Sequence, residues 1–216
     1  MNLPVTAYPG LELHAVVATL PQRLEQLPSP AWLQALLRLD AEAPVRSSEP
    51  VRLAVRDLLR VHGYRPTGRG KPSSEYLAAA VGDGRVGSIN AVVDAGNVAS
   101  LHSGLPISIV DLDLCQGPLS VRVPPPGSKY LFNRSGQEID VAGLLSLCDA
   151  EGPCANAVKD AQRTKTQPAT VRVLGVVWGA SAQDARHACA TAAWLGELFA
   201  RLGGAVDPVE VVALGP

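Results

Sequence analysis

A chain of 216 residues, 47% of them hydrophobic, is long enough to bury a large core, and its length fits one compact unit over residues 1–216. The formal net charge of -1 supplies no field that would draw in nucleic acid non-specifically, so any RNA contact must be local. Cys115, Cys148, Cys154 and Cys189 form no C-x-x-C pair, MNLPVTAYPG has no signal-like charge or apolar stretch, and no run nears the roughly 18 apolar residues of a membrane span; zinc, secretion and membrane insertion are not expected, and a cytoplasmic protein with free thiols is.

In chain order, Leu11 to Leu20 alternates as a strand, and Pro28 to Leu39 carries Trp32, Leu33, Leu36 and Leu37 at helical spacing. Glu49 to Val61 reads as a second helix, with Val51, Ala54, Val55, Leu58, Leu59 and His62 on one face and Gly63 as its stop. YRPTGRGKP, residues 64 to 72, is a glycine and proline loop bearing Arg65, Arg69 and Lys71, and is either an RNA contact or a solvated turn. Ser73-Ser74-Glu75 offers an N-cap for a short helix over Ser74 to Val81.

Beyond Leu112 short strands dominate: Leu119 to Val123, Lys129 to Phe132, Leu144 to Cys148 and Val171 to Trp178. Ala182 to Arg201 is an amphipathic helix closed by Gly203-Gly204, whose Trp194, Leu195, Leu198 and Phe199 either pack on a sheet or pair two copies as a homodimer. Val209 to Leu214 is a last strand. Strands and helices that do not alternate regularly point to an α+β fold, a mixed or antiparallel sheet with flanking helices.

The chemistry concentrates in SINAVVDAGNVASLHSGLPISIVDLD, residues 88 to 113. With Ser88 to Ser103 as a helix, an advance of about 100° per residue puts Ile89, Val92, Val93, Gly96 and Ser100 on one face and Asn90, Asp94 and Asn97 on an adjoining polar stripe. An amide at such a boundary offers a donor and an acceptor to a neighbour, and Gly96 removes the side chain that would block approach. Asp111 and Asp113 share a face if Ser108 to Asp113 is extended; without a third ligand they read as loop anchors rather than a metal site. Ser108 lacks the G-x-S-x-G elbow of a hydrolase nucleophile, and His14, His62, His102 and His187 read as ordinary residues of their elements. GYRPTGRGK lacks phosphate-loop spacing, which argues against nucleotide hydrolysis.

SINAVVDAGNVASLHSGLPISIVDLDLCQGPLSVRV resembles the B3/4 domain, the tRNA-editing domain of the phenylalanyl-tRNA synthetase beta subunit, through Asn90, Val92, Val93, Asp94, Asn97, Pro106, Asp111, Leu112, Asp113, Gly117, Val121 and Arg122. RPTGRGKPSSEYL upstream and KDAQRTKTQPATVRVLGVV downstream resemble the flanks of freestanding versions, so the likeness runs over about residues 50 to 180. The resemblance implies a B3/4-type editing-domain fold that receives the aminoacylated 3′ end of a tRNA and hydrolyses a wrong ester, without a cofactor or metal. In a chain of this length it would act in trans, as an aminoacyl-tRNA deacylase.

Carried over residue by residue, the resemblance puts Asn97 in the editing pocket, with Gly96 where the family has Thr and Ser108 where it has His. The family's editing Glu would fall near Gly175 or Val176, where this chain has no acid. The implied site is therefore catalytic Asn97 and Ser108, a substrate wall of Gly96, Asn90, Ala155, Asn156 and Ala157, and RNA contacts from Arg65, Arg69, Lys71, Arg163 and Lys165. Catalysis by positioning fits this set, with Ser108 a hydrogen-bonding residue rather than a nucleophile. Two alternatives stand beside it: a non-catalytic module that binds tRNA or an amino acid, and an enzyme for unrelated small molecules on the same scaffold.

Overall fold

RVLGVVWGA, a nearly uninterrupted apolar run, forms the strand around which the molecule is layered. In the computed structural model, which describes residues 1–181 and 186–214, this strand is Arg172–Ala180 and is buried along its length after Arg172. Side chains of a strand alternate between faces; Val173 and Val177 enter a core shared with helices, whereas Leu174, Val176 and Trp178 enter a second core between two sheets. A strand covered on both faces has no polar side to show, which is why it reads as a continuous apolar run.

The strands are β1 (Asn2–Thr6), β2 (Leu11–Thr19), β3 (Ile107–Asp111), β4 (Ser120–Arg122), β5 (Lys129–Leu131), β6 (Glu138–Asp140), β7 (Ser146–Asp149), β8 (Gly152–Asn156), β9 (Arg172–Ala180), β10 (Ala205–Pro208) and β11 (Glu210–Leu214). The helices are α1 (Ala31–Gln34), α2 (Glu49–Arg60), α3 (Ser73–Gly82), α4 (Ala91–Ser103) and α5 (His187–Arg201). One sheet has the order β10-β2-β9-β3, a second β11-β1-β4-β7-β8, and β5 and β6 form a separate hairpin. Pairing is antiparallel except where β1 runs parallel to β11 and β4. The result is the expected α+β architecture with mixed sheets: α2, α4 and α5 pack on the four-stranded sheet, whose other face shares a core with the five-stranded one.

Helix α2 follows its amphipathic pattern, with Ser48 accepting from the Val51 amide and Val51, Val55, Leu58 and Leu59 buried; His62 lies beyond its end, exposed. The helix expected over residues 28–39 contracts to α1, because the chain continues with tighter i→i+3 bonds from Leu36 N to Leu33 O and Leu37 N to Gln34 O. Helix α3 begins after Pro72, not after a serine cap. The strands Asn2–Thr6, Glu138–Asp140 and Ala205–Pro208 were not anticipated; they are short or lie at sheet edges and carry little periodic signal.

The start expected for α5, at residues 182–185, lies outside the described residues. Trp194, Leu195, Leu198 and Phe199 are buried in the helix-side core, so that face is occupied by the sheet. Asp111 and Asp113 do not share a strand face, since β3 ends at Asp111 and the chain tightens into a 3₁₀ turn at Leu112–Leu114. Both are anchors all the same: Asp111 accepts from the Asp113 amide at 3.0 Å and from the Thr170 hydroxyl, and Asp113 lies 3.5 Å from Arg172. His102 is buried against the Leu36 carbonyl at 2.9 Å, and His187 lies 2.9 Å from the Ser103 carbonyl. No described helix is long and apolar enough to cross a membrane.

Candidate functional site

Helix α4 starts three residues later than its periodicity suggests, and the delay splits the expected polar stripe. Asn90 is the N-cap, accepting from the Val93 amide at 3.0 Å, while Asp94 is fully buried and takes the Ser88 hydroxyl and the Ile89 amide. Two residues of the stripe are thereby spent on the helix terminus. Only Asn97 keeps a side-chain amide that forms no hydrogen bond within the described residues, and it lines a cleft of about 840 Å³. That volume is within the range of small-molecule sites.

The cleft lies beside α4 and β3, the last strand of the four-stranded sheet. Val93, Ile107, Ile109 and Val158 supply apolar wall; Asn156 enters from the end of β8, and Lys159, Asp160 and Lys165 from the segment after it. Gly96 lets the helix approach the strand: a Cβ there would lie 2.6 Å from Ile109 Cγ1. The Thr implied by the family pattern therefore has no room without moving Ile109. Gly96→Thr is expected to destabilise the fold by about 1–3 kcal/mol through overpacking, read as a lower midpoint in urea unfolding. Gly175 is closed in the same way, its Cβ position 2.7 Å from Leu195 Cδ2, so no acid can stand there facing the cleft.

The carboxylate comes from another element. Asn156 opens a tight turn in which its Oδ1 accepts from the Val158 and Lys159 amides at 2.8 and 3.0 Å, and its Nδ2 donates to the Tyr130 hydroxyl at 2.6 Å; that hydroxyl in turn donates to the Lys159 carbonyl. The turn delivers Asp160 to the cleft, where its Oδ1 accepts from Ser108 Oγ at 2.7 Å and from the Asn156 amide at 3.2 Å. Ser108, almost wholly buried, is itself held by Trp178 Nε1 at 2.9 Å. Asp160 Oδ2 forms no hydrogen bond with the described residues, so one oxygen is fixed and the other is left to the cleft. Burial raises the Asp160 carboxyl to about 6, against the opposing pull of the Ser108 and Asn156 hydrogen bonds and the charge of Lys165.

The rim of the site is cationic. Lys159 and Lys165 stand over the Phe132 ring at 4.9 and 4.1 Å, and Arg69 lines the same cleft. Burial lowers both lysines, helped by Arg69 at Lys159 and by Lys159 at Lys165, while Asp160 opposes the shift at Lys165. Asp160 is the only acid among the described residues lining the cleft, so an anionic ligand group would relieve this crowding of positive charge.

Of the residues singled out from the sequence, Asn90, Gly96, Asn97, Asn156, Arg69 and Lys165 line the cleft together. Ser108 is behind it, holding Asp160 instead of facing a substrate, and Ala155 and Ala157 are in the core between the sheets, because β8 turns those side chains inward. Arg65 lines a separate groove with His62 and Gly143, and Lys71 is exposed and lines neither. Arg163 is committed elsewhere: it binds both carboxylate oxygens of Asp149 at 2.7 Å and the Gly152 carbonyl at 3.0 Å.

Asp160, Lys159, Phe132 and Tyr76 were missed. The one local signal was the turn-forming Asn156 four residues before Asp160, inside NAVKD. Among the described residues no cluster of three or more His, Cys, Asp or Glu is arranged to hold a metal ion.

No curated protein sequence matches this chain. Among solved structures it is similar to an N-terminal fragment of the phenylalanyl-tRNA synthetase beta-subunit from Pyrococcus horikoshii, with a TM-score of 0.52 and 13% sequence identity; the match covers 98% of this chain and 52% of that one. The chain thus spans about half the length of that fragment, and at this identity the likeness is one of fold. A sequence model of the B3/4 domain matches residues 65–193, more than half of the chain and the part that contributes every cleft residue named above, and the chain belongs to the B3/4 domain family.

Proposed function

We propose that this protein is a trans-acting aminoacyl-tRNA deacylase, which hydrolyses the ester of a mischarged tRNA in the cytoplasm. The observation that carries the reading is the pairing, in one cleft, of an unengaged amide on Asn97 with a carboxylate on Asp160 that has one oxygen fixed and one open. In this reading the Asp160 carboxylate takes a proton from a water as its oxygen attacks the ester carbonyl. The Asn97 amide donates to the developing oxyanion, and the proton on Asp160 passes to the departing ribose oxygen. Arg69, Lys159 and Lys165 hold phosphates of the acceptor strand, and Val93, Ile107, Ile109 and Val158 receive the amino-acid side chain.

A second reading, a binding module for tRNA or an amino acid, is favoured by the burial of Ser108, whose hydroxyl is turned to Asp160. The test uses purified protein, a panel of correctly and incorrectly charged tRNAs, and the Asn97→Ala variant. The expected result is selective turnover of a mischarged species, reduced about 10²–10³-fold by Asn97→Ala, as for loss of one oxyanion donor. Saturable tRNA binding with no turnover above the buffer rate across the panel would overturn the hydrolase and leave the binding module.

A further inference from the structure

Ile89 is the most exposed of the large apolar side chains among the described residues, at 67%, and its backbone amide is bonded to Asp94. It occupies the position just before the N-cap of α4, where an apolar residue ordinarily packs against the fourth residue of the helix. In this chain that fourth residue is Asp94, whose buried carboxylate accepts from the Ser88 hydroxyl and, at 2.9 Å, from the Ile89 amide. The staple is absent, and the backbone that carries Ile89 is pinned while its side chain stands in solvent.

Ile89 also marks a boundary. With Asn90 and Thr166 it lines both the main cleft and an adjoining groove of about 380 Å³, and a hydrogen bond from Asn90 Nδ2 to Thr166 Oγ1 at 3.2 Å closes the ridge between them. The two sides differ in chemistry. The main cleft has the Tyr76 ring and the cations Arg69, Lys159 and Lys165. The groove has Glu25, which can accept from the exocyclic amino group of a base, and Ser29, whose Oγ is buried without a hydrogen-bond partner.

We propose that the ridge is a wedge for a single-stranded RNA end: the terminal nucleotide lies in the main cleft, the preceding base enters the groove, and Ile89 separates the two. Apolar side chains inserted between bases unstack them in other nucleic-acid complexes, and a single strand gives up little stacking to allow it. The cations lie on the side that would receive phosphates, and the groove presents the exposed Glu25 carboxylate to a base edge. The inference rests on the proposed RNA-end reading for its ligand, and it adds a second nucleotide site and the residue that divides the two.

The test is equilibrium binding of 5′-AMP and of a single-stranded RNA trinucleotide, with 2-aminopurine at its penultimate position, to wild type, Ile89→Ala and Ile89→Leu. Wild type is expected to bind the trinucleotide more tightly than 5′-AMP and to brighten the 2-aminopurine as it unstacks. Ile89→Ala should weaken the trinucleotide about 10-fold and 5′-AMP far less, with the fluorescence gain lost, while Ile89→Leu restores both. Equal loss for both ligands in Ile89→Ala would make Ile89 an ordinary cleft wall and overturn the wedge, as would an unchanged trinucleotide affinity. An aminoacyl ethyl ester hydrolysed by a protein that binds no RNA overturns the wedge and leaves ester hydrolysis standing. Wedge-dependent RNA binding without hydrolysis does the reverse.

Discussion

Asp160→Asn is expected to lower hydrolysis of a mischarged tRNA by about 10²–10⁴-fold, the range for loss of a general base, while leaving tRNA affinity nearly intact. The substitution keeps the shape of the side chain and its ability to accept from Ser108, and it removes the basicity. The wild-type rate should depend on pH accordingly. A carboxyl raised to about 6 is largely protonated at pH 5 and largely ionised at pH 7, so the enzymatic rate, corrected for spontaneous hydrolysis, climbs through pH 6 and levels above it.

The same variant has a stability signature of opposite sign. Because the folded value is raised above the ordinary one, the folded state binds protons more tightly than the unfolded chain, and Asp160 costs stability increasingly as pH rises toward 6. Asn carries no such penalty, so the variant should melt at a higher temperature than wild type at pH 7 and lose that advantage near pH 4. A rate independent of pH between 5 and 7, together with full activity in Asp160→Asn, would remove Asp160 from the chemistry.

Arg163→Ala has the largest expected effect on the fold. Asp149 has no solvent-accessible side chain, and Arg163 is 28% exposed at the side chain and bonded to both of its oxygens. Burial alone would raise the Asp149 carboxyl, but the Arg163 hydrogen bonds and the Gln116 and Glu151 amides outweigh it and hold the group below its ordinary value. Removing the guanidinium leaves a buried charge without its partner, and the expected loss is about 3–5 kcal/mol in urea unfolding at neutral pH.

The sign of the pH dependence follows from the depressed value. The stabilisation is complete above the ordinary aspartate range and disappears as pH falls through the lower folded value, so wild type and Arg163→Ala should converge in strongly acid solution. Arg69→Ala is the contrasting case, since Arg69 is an exposed cation of the cleft rim. It should leave unfolding unchanged and lower RNA affinity with a reduced salt slope.

Local pattern reveals the elements with the strongest apolar signal. The stripe of Val51, Val55, Leu58 and Leu59 marks α2, and the run from Val173 to Trp178 marks a doubly covered strand, because each pattern records which side of the element meets the core. The motif between Asn90 and Asp113 was enough to place the chain in its family and to bring Gly96 and Asn97 to one wall. The roles of its other polar residues were not legible at that level. Whether Asn90 and Asp94 face a ligand or cap a helix depends on where α4 starts, and it starts at Ala91, with Asn90 as its cap and Asp94 binding the Ile89 amide.

The chemistry of the cleft was decided by contacts between distant parts of the chain. Asp160 acquires its orientation from Ser108, 52 residues away, with Trp178 fixing that serine from behind across 70 residues, and its raised basicity from burial. Arg163 and Lys165, two residues apart, look alike as basic candidates. One is taken by the buried Asp149 and the other stays in the cleft, because only packing determines which cation meets an unsatisfied carboxylate. Side-chain identity and periodicity determined the layers, the family and one amide of the site. Its acid, the third rim cation Lys159 and the exposed Ile89 follow from tertiary structure, since burial and hydrogen bonding set the protonation and reach of a polar group and neither is a property of the residue alone.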